Sequence, residues 1–412
     1  MKDLLPLLKT RIPGPKSRAL ARQLRRYESR NVTYISEHWP IFWQRAAGAN
    51  VWDVDGNRYI DLTAAFGVAN VGHTNPRVVA AIKTQAGKLL HAMGDVHPNE
   101  LKLHLARELV ALTFGRWNKS TGGVVFANSG AEAVEVALKT AAIHTRRPGI
   151  IAFEGAYHGL TYGALDTTWR ADFRAYFSQQ LGHFTAHVPF GCVPDVTNIQ
   201  NYGAVIVEPI QGRGGIVVPP DGFLPKLRRF CNDQRMLLIV DEIYTGFCRT
   251  GRWFACEHWD VVPDIVCVGK AMAGGFPISA CIGRAEIMES WPESRGEAIH
   301  TSTFLGNPLG CAAALASIGE MKRLKLDVRS RELGAWLATR LAQLGKVRGK
   351  GLMLGLEVEN AVTLVERLLQ CGVLALPEGN QGEVLGLTPP LMVTKRQLEH
   401  CVAVLAELLS HG

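Results

Sequence analysis

Two charged side chains, Asp241 and Lys270, stand where charged side chains are rare. Asp241 ends the apolar run LLIVD (237 to 241), and Lys270 follows the apolar run of DIVCVGK (264 to 270), 29 residues later. Lysines are nearly always exposed, so one at the end of a buried strand needs a reason. Burial lowers its pKa and frees the amine to attack an aldehyde. A carboxylate in the same setting is costly to bury without a cationic partner. The protonated ring nitrogen of a cofactor is such a partner. A third feature, NSGAEAVEVALKTA from Asn128 to Ala141, runs from a strand through Ser129, Gly130 and Ala131 into a helix. Small residues on a helix N-terminus make an anion site suited to phosphate. Singly, each has a plainer reading: a snorkelling lysine, a helix cap or salt bridge, a turn found in every α/β protein. The order of the three favours the chemistry.

These residues need a scaffold, and the chain supplies one. From residue 120 onward, short β-branched runs alternate with longer helical patterns, the signature of an α/β fold with a largely parallel sheet. Strands are expected at Val124 to Ala127, Ile150 to Phe153, Ala204 to Glu208, Met236 to Asp241, Ile265 to Val268 and Ser279 to Gly283. Asp241 falls at a carboxyl strand end, where open α/β sheets place their ligands. The alternation does not extend over residues 1–65 or 311–412, which we read as one smaller domain built from both chain ends around a large domain at 66–310. Helices are expected at Cys311 to Met321 and from Lys395.

Composition excludes several classes. The 412 residues are 47% hydrophobic and 20% charged, too apolar for intrinsic disorder. No window approaches the roughly 18 consecutive apolar residues of a membrane span. The 42 glycines exceed the usual share of about 7%, as expected where backbone approaches a ligand. Nine cysteines without a CxxC pair or zinc-finger spacing suit free thiols in a reducing cytoplasm, with no metal site. The start, MKDLLPLLKTRIPGP, lacks the apolar region of a secretory signal, and a mitochondrial presequence is the less favoured reading. Residues 9 to 30 hold eight basic side chains against Glu28 alone, nearly all of the net +8. Such an arm could attract nucleic acid or a membrane surface, but no RNA-binding motif or aromatic platform accompanies it. A solvated or subunit-contacting helix is the favoured reading.

Eight strings, in order, resemble one family: NVWDVDGNRYIDL (50 to 62), GHTNPRV (72 to 78), NSGAEAVEVALK, FEGAYHGLT (153 to 161), VEPIQGRGG, IVDEIYTGFCRTG, VGKAMAGGFPISA and TSTFLGNPLGCAAALA (301 to 316). The chain is similar over about residues 35 to 410 to the class III aminotransferases of fold type I, the ornithine, 4-aminobutyrate and acetylornithine type. The resemblance implies pyridoxal 5'-phosphate as cofactor, a large domain with a mostly parallel central sheet flanked by helices, and a smaller α+β domain. It implies that Lys270 forms the Schiff base with the cofactor aldehyde and Asp241 pairs with the pyridinium nitrogen. Tyr157 would stack on one ring face and Ile243 on the other. The phosphate would rest on Ser129, Gly130 and Ala131, with Thr303 reaching across a homodimer interface. His158, Glu208 and Tyr244 complete the cofactor-binding set, Tyr244 replacing the usual Gln with its hydroxyl still able to donate.

Departures from the family pattern bear on substrate. Leu160 stands where many relatives have a carboxylate-binding arginine, and Gly386 where dicarboxylate-using relatives have a second, in RxxPPL. Relatives usually read QGE, whose glutamate closes onto that second arginine; this chain reads QGR with Arg213. Acid and base have exchanged places, and Arg213 becomes the candidate substrate-binding cation, its planar fork suited to bidentate pairing. The alternative for Arg213 is an ordinary loop arginine. The expected activity is transfer of an amino group from an amine or amino acid, including omega-amino acids, to a 2-oxo acid such as 2-oxoglutarate or pyruvate. A racemase, epimerase or aminomutase on the same fold is the alternative.

Overall fold

A computed structural model describes residues 3–410. Its centre is a seven-stranded sheet ordered Gly122–Ala127, Ser279–Arg284, Ile265–Val268, Leu237–Asp241, Tyr202–Val207, Gly149–Phe153 and Thr185–Val188. All strands are parallel except Ser279–Arg284, which is antiparallel to both neighbours. The central strands are buried on both faces because helices cover both, which is why their sequences are unbroken apolar runs. Thr185–Val188 was not among the expected strands. It lies at the sheet edge, and its mixed sequence (Thr185, Ala186, His187, Val188) fits an only partly buried strand. The expected strand Ala204 to Glu208 begins earlier and stops at Val207, releasing Glu208 into the loop beyond.

The two chain ends meet. Strands Trp43–Ala47, Asn50–Asp53 and Arg58–Asp61 form a meander whose last member pairs in parallel with Val373–Leu374. A second four-stranded sheet, from Val347–Lys350, Met353–Glu357, Val384–Leu387 and Leu376–Glu378, belongs wholly to the C-terminal part. The helix Pro308–Leu324 packs on Pro76–Ala86 and on the turn carrying Lys270, so it straddles residue 311 while lying against the large sheet's helices. The basic arm forms the helix Pro15–Tyr27, burying only Ser17 and Ala21. Asp55 caps it from outside, accepting from Lys16 N–H at 2.8 Å and Ser17 N–H at 3.0 Å. Among the described residues, no helix is long and apolar enough to cross a membrane, and no three His, Cys, Asp or Glu side chains cluster as metal ligands.

Candidate active site

Three adjacent parallel strands deliver three ionisable side chains to the carboxyl end of the sheet. Glu208 follows Tyr202–Val207, Asp241 ends Leu237–Asp241, and Lys270 stands two residues beyond Ile265–Val268. The registers, Val207 beside Val240 and Asp241 beside Cys267, keep them level. Asp241 is only 4% exposed. Its Oδ1 accepts from the Ile243 N–H at 3.0 Å, and its Oδ2 lies 2.8 Å from His158 Nδ1. A carboxylate offers about four lone-pair sites, so acceptor capacity remains after these two bonds. Nε2 of the buried His158 has no partner among the described residues.

Glu208 accepts from the Tyr157 N–H at 3.0 Å and the Gly212 N–H at 3.1 Å, tying the tyrosine loop to the loop of Arg213. Burial pushes its carboxyl up to about 7, against the pull of His158. Burial moves the Lys270 amine the other way, down to about 8, opposed by Asp241, Glu208 and Glu378 and reinforced by Arg213. A neutral amine is therefore accessible near physiological pH, as attack on an aldehyde requires. Lys270 also has φ +43°, a left-handed conformation that non-glycine residues adopt at a cost of about 1–3 kcal/mol and that concentrates at functional sites. Its Nζ lies 3.9 Å from the centroid of the Tyr244 ring. The Tyr244 hydroxyl lies 3.1 Å from Thr388 Oγ1, and its aromatic face meets the lysine.

The small-residue loop opens the helix Gly130–Thr145. Ser129 caps it, its Oγ accepting from the Glu132 N–H at 3.3 Å, while Glu132 Oε2 accepts from the Asn128 N–H at 2.9 Å, one residue ahead of the cap. The first N–H groups of a helix lack intrahelical partners. With that of Glu132 taken, those of Gly130 and Ala131 are left for an anion. A Cβ on Gly130 would lie 2.9 Å from Ile243 Cδ1, so glycine is what admits Ile243 beside the loop. A Cβ on Gly159 would lie 2.5 Å from Ala131 Cβ, which brings the Tyr157–His158 segment equally close. Tyr157 packs edge-on against Phe173, centroids 5.6 Å apart. Thr303 is exposed; its neighbour Ser302 accepts from Asn128 Nδ2 at 3.2 Å, which sets this turn beside the loop.

Arg213 is half-buried on its loop. Its guanidinium carbon lies 5.2 Å from the Tyr157 ring centroid and 5.8 Å from that of Phe173, and among the described residues its buried Nε has no hydrogen-bond partner. Leu160, by contrast, is 51% exposed. Sequence reasoning missed Glu378, 7% exposed, whose carboxyl is pushed up to about 7 by burial against the pull of Arg213 and Lys270. A signal was present: Leu376 and Val384 flank the turn-rich PEGNQGE, which reads as a hairpin placing Glu378 diagonal to Gly386 on one face.

The family Aminotransferase class-III matches residues 33–409. The chain is 41% identical over 379 residues to acetylornithine aminotransferase of Methanopyrus kandleri, covering 90% of this chain and 95% of that one. It is 35% identical over 444 residues to 4-aminobutyrate aminotransferase of Mycobacterium leprae, covering 98% and 97%. Among solved structures, ornithine aminotransferase of Toxoplasma gondii superposes with a TM-score of 0.85 at 31% identity, covering 98% and 96%. Nothing in these likenesses supports the racemase or aminomutase alternative. The chain belongs to the class III aminotransferases: it is a pyridoxal-phosphate-dependent enzyme of fold type I that moves an amino group from an amine or amino acid to a 2-oxo acid.

Proposed function

We propose that this aminotransferase takes its amino group from a primary amine at the end of an alkyl chain and anchors the acceptor's carboxylate on Arg213. The observation that carries the reading is the Arg213 guanidinium, set against Tyr157 and Phe173 with its buried Nε unpartnered. The substrates named for the relatives, ornithine, acetylornithine and 4-aminobutyrate, share such a terminal amine.

The residues present fit pyridoxal phosphate. Gly130 and Ala131 offer unclaimed N–H groups beside the Ser129 cap, Asp241 keeps acceptor capacity in a buried setting, and Lys270 carries an amine lowered to about 8. Pyridoxal phosphate, when bound, supplies an electron sink for the substrate carbon. Around it Ser129, Gly130 and Ala131 would hold the phosphate, Tyr157 and Ile243 would flank the ring, and Asp241 would hold a proton at the ring nitrogen. His158 orients Asp241, and Glu208 fixes the backbone of Tyr157. Tyr244 covers Lys270, whose amine would carry a proton to and from the substrate carbon.

The enzyme acts as a homodimer in which Thr303 of a second copy completes the phosphate site. Support comes from the apolar side chains exposed around that turn, Phe304 at 57%, Met93 at 55% and Leu90 at 61%. All nine cysteines are free, which suits the cytoplasm. The test is single-turnover kinetics of both half-reactions with Arg213→Ala. Charge-assisted hydrogen bonds of about 1.5–3 kcal/mol translate into roughly a ten- to hundredfold loss in 2-oxo acid use. A carboxylate-free amine should react nearly as before; equal losses for both would refute the anchor.

A further inference from the structure

The C-terminal sheet meets the Arg213 loop, and it brings there a charged residue with no assigned role. Glu378 ends the strand Leu376–Glu378, which pairs with Val384–Leu387 through Leu376 with Gly386 and Glu378 with Val384. A Cβ on Gly386 would lie 2.7 Å from Glu378 Cγ, so the glutamate lies across a place that only glycine leaves open. The next residue, Gly379, donates its N–H to the Arg213 carbonyl at 3.1 Å, which fixes the two charged residues as backbone neighbours. Among the described residues neither side chain takes part in an ion pair of 4.0 Å or less. Glu378 nonetheless feels Arg213 and Lys270 as its principal favourable charges, with Glu208 opposing and Arg170 assisting, and it acts in turn on Tyr244. A carboxylate and a guanidinium thus lie on neighbouring backbone segments, close enough to influence each other and without a direct bond.

We infer that Glu378 is a specificity-determining residue: it competes with the substrate carboxylate for Arg213 and gives the ammonium of an incoming amine a counter-charge. This rests on the reading of Arg213 as the carboxylate anchor. An anion entering the pocket must displace the influence of Glu378 on Arg213, whereas a cationic amine without a carboxylate finds Arg213 already balanced. The two substrate classes therefore respond to Glu378 with opposite signs. A residue that merely supported the fold would shift both the same way.

The experiment uses the holoenzyme at pH 8, where Glu378 is mostly ionised, with Glu378→Gln and, as a second neutral variant of similar size, Glu378→Met. Calorimetry gives the dissociation constant of glutarate, an unreactive carboxylate, and steady-state kinetics give KM for pyruvate and for n-butylamine. Removing a nearby like charge should tighten glutarate and lower the pyruvate KM by about three- to tenfold. The butylamine KM should rise by a similar factor. In the Arg213→Ala background the glutarate gain from Glu378→Gln should vanish. Glutarate binding unchanged by Arg213→Ala would refute the anchor itself. If Arg213→Ala weakens glutarate but both Glu378 variants leave it unchanged, or shift the two substrate classes in one direction, the inference about Glu378 alone is overturned.

Discussion

The depressed pKa of Lys270 is a stability statement about the apoprotein, and Lys270→Met reads it. An unfolded chain holds the lysine proton up to the ordinary value of 10.5, whereas the folded chain releases it near 8. Between those values the unfolded state binds more protons, so stability rises with pH through that window and the full penalty is felt below it. For values of 8 and 10.5, linkage gives a penalty of about 3 kcal/mol at pH 7 and about 1 kcal/mol at pH 9.5. Methionine carries no charge, packs in a similar volume and removes the pH-dependent part altogether. The apo variant should therefore be the more stable protein at pH 7, with its advantage shrinking by about 2 kcal/mol by pH 9.5. Urea denaturation of both apoproteins at the two pH values, followed by circular dichroism at fixed protein concentration, measures the difference. A gap that stays constant or widens on going to pH 9.5 would show that the folded chain does not hold Lys270 with a lowered pKa. It would also remove the argument that burial readies the amine for attack.

Borohydride reduction of the holoenzyme followed by mass spectrometry should place the cofactor on Lys270, and recovery of the label on another lysine would sink that assignment. Asp241→Asn should retain the cofactor yet lower turnover by orders of magnitude, because an amide cannot hold the ring nitrogen protonated; near-normal turnover would assign the role elsewhere. Gly130→Val should weaken cofactor affinity with little change in circular dichroism, since its side chain must displace Ile243, whose Cδ1 would lie 2.9 Å from the new Cβ. Sedimentation should find a dimer as the smallest active species, and Thr303→Ala should weaken cofactor retention; a fully active monomer contradicts the shared site.

What was legible in the sequence followed from local physics. The strands around Asp241 and Lys270 are buried on both faces, so they read as unbroken apolar runs bounded by a charge or a glycine. The helix at Gly130 announced itself through Val134, Ala137, Leu138 and Ala141 at helical spacing, all of them buried. Thr185–Val188 did not, because an edge strand with one fully buried residue carries no apolar run to detect. The Tyr244 hydroxyl lies 3.1 Å from Thr388 Oγ1, a partner 144 residues away that no local pattern announces.

Glu378 shows where such reading stops and why. Gly386, taken alone, looks like a lost cation, and Arg213 like a cation gained. The hairpin register makes them parts of one rearrangement: losing the side chain at 386 opens the space in which Glu378 lies, and Glu378 supplies the negative charge that an arginine at 213 requires. An unaccompanied guanidinium beside Lys270 would depress the amine further, since Arg213 already acts in that direction. Glu378 pulls the other way, and its own ionisation is favoured by Arg213 and Lys270. Restoring an arginine at 386 in this chain would accordingly do more than add an anchor. It would drive a long side chain into the position of Glu378 Cγ and leave two guanidinium groups near one lysine. The triple variant Gly386→Arg, Arg213→Glu and Glu378→Gly is the combination that keeps the charge balance and clears the space beside residue 386, and it should recover 2-oxo acid use that Gly386→Arg alone loses. Failure of the triple variant to restore any activity would show that residues 213, 378 and 386 are not coupled through charge and space.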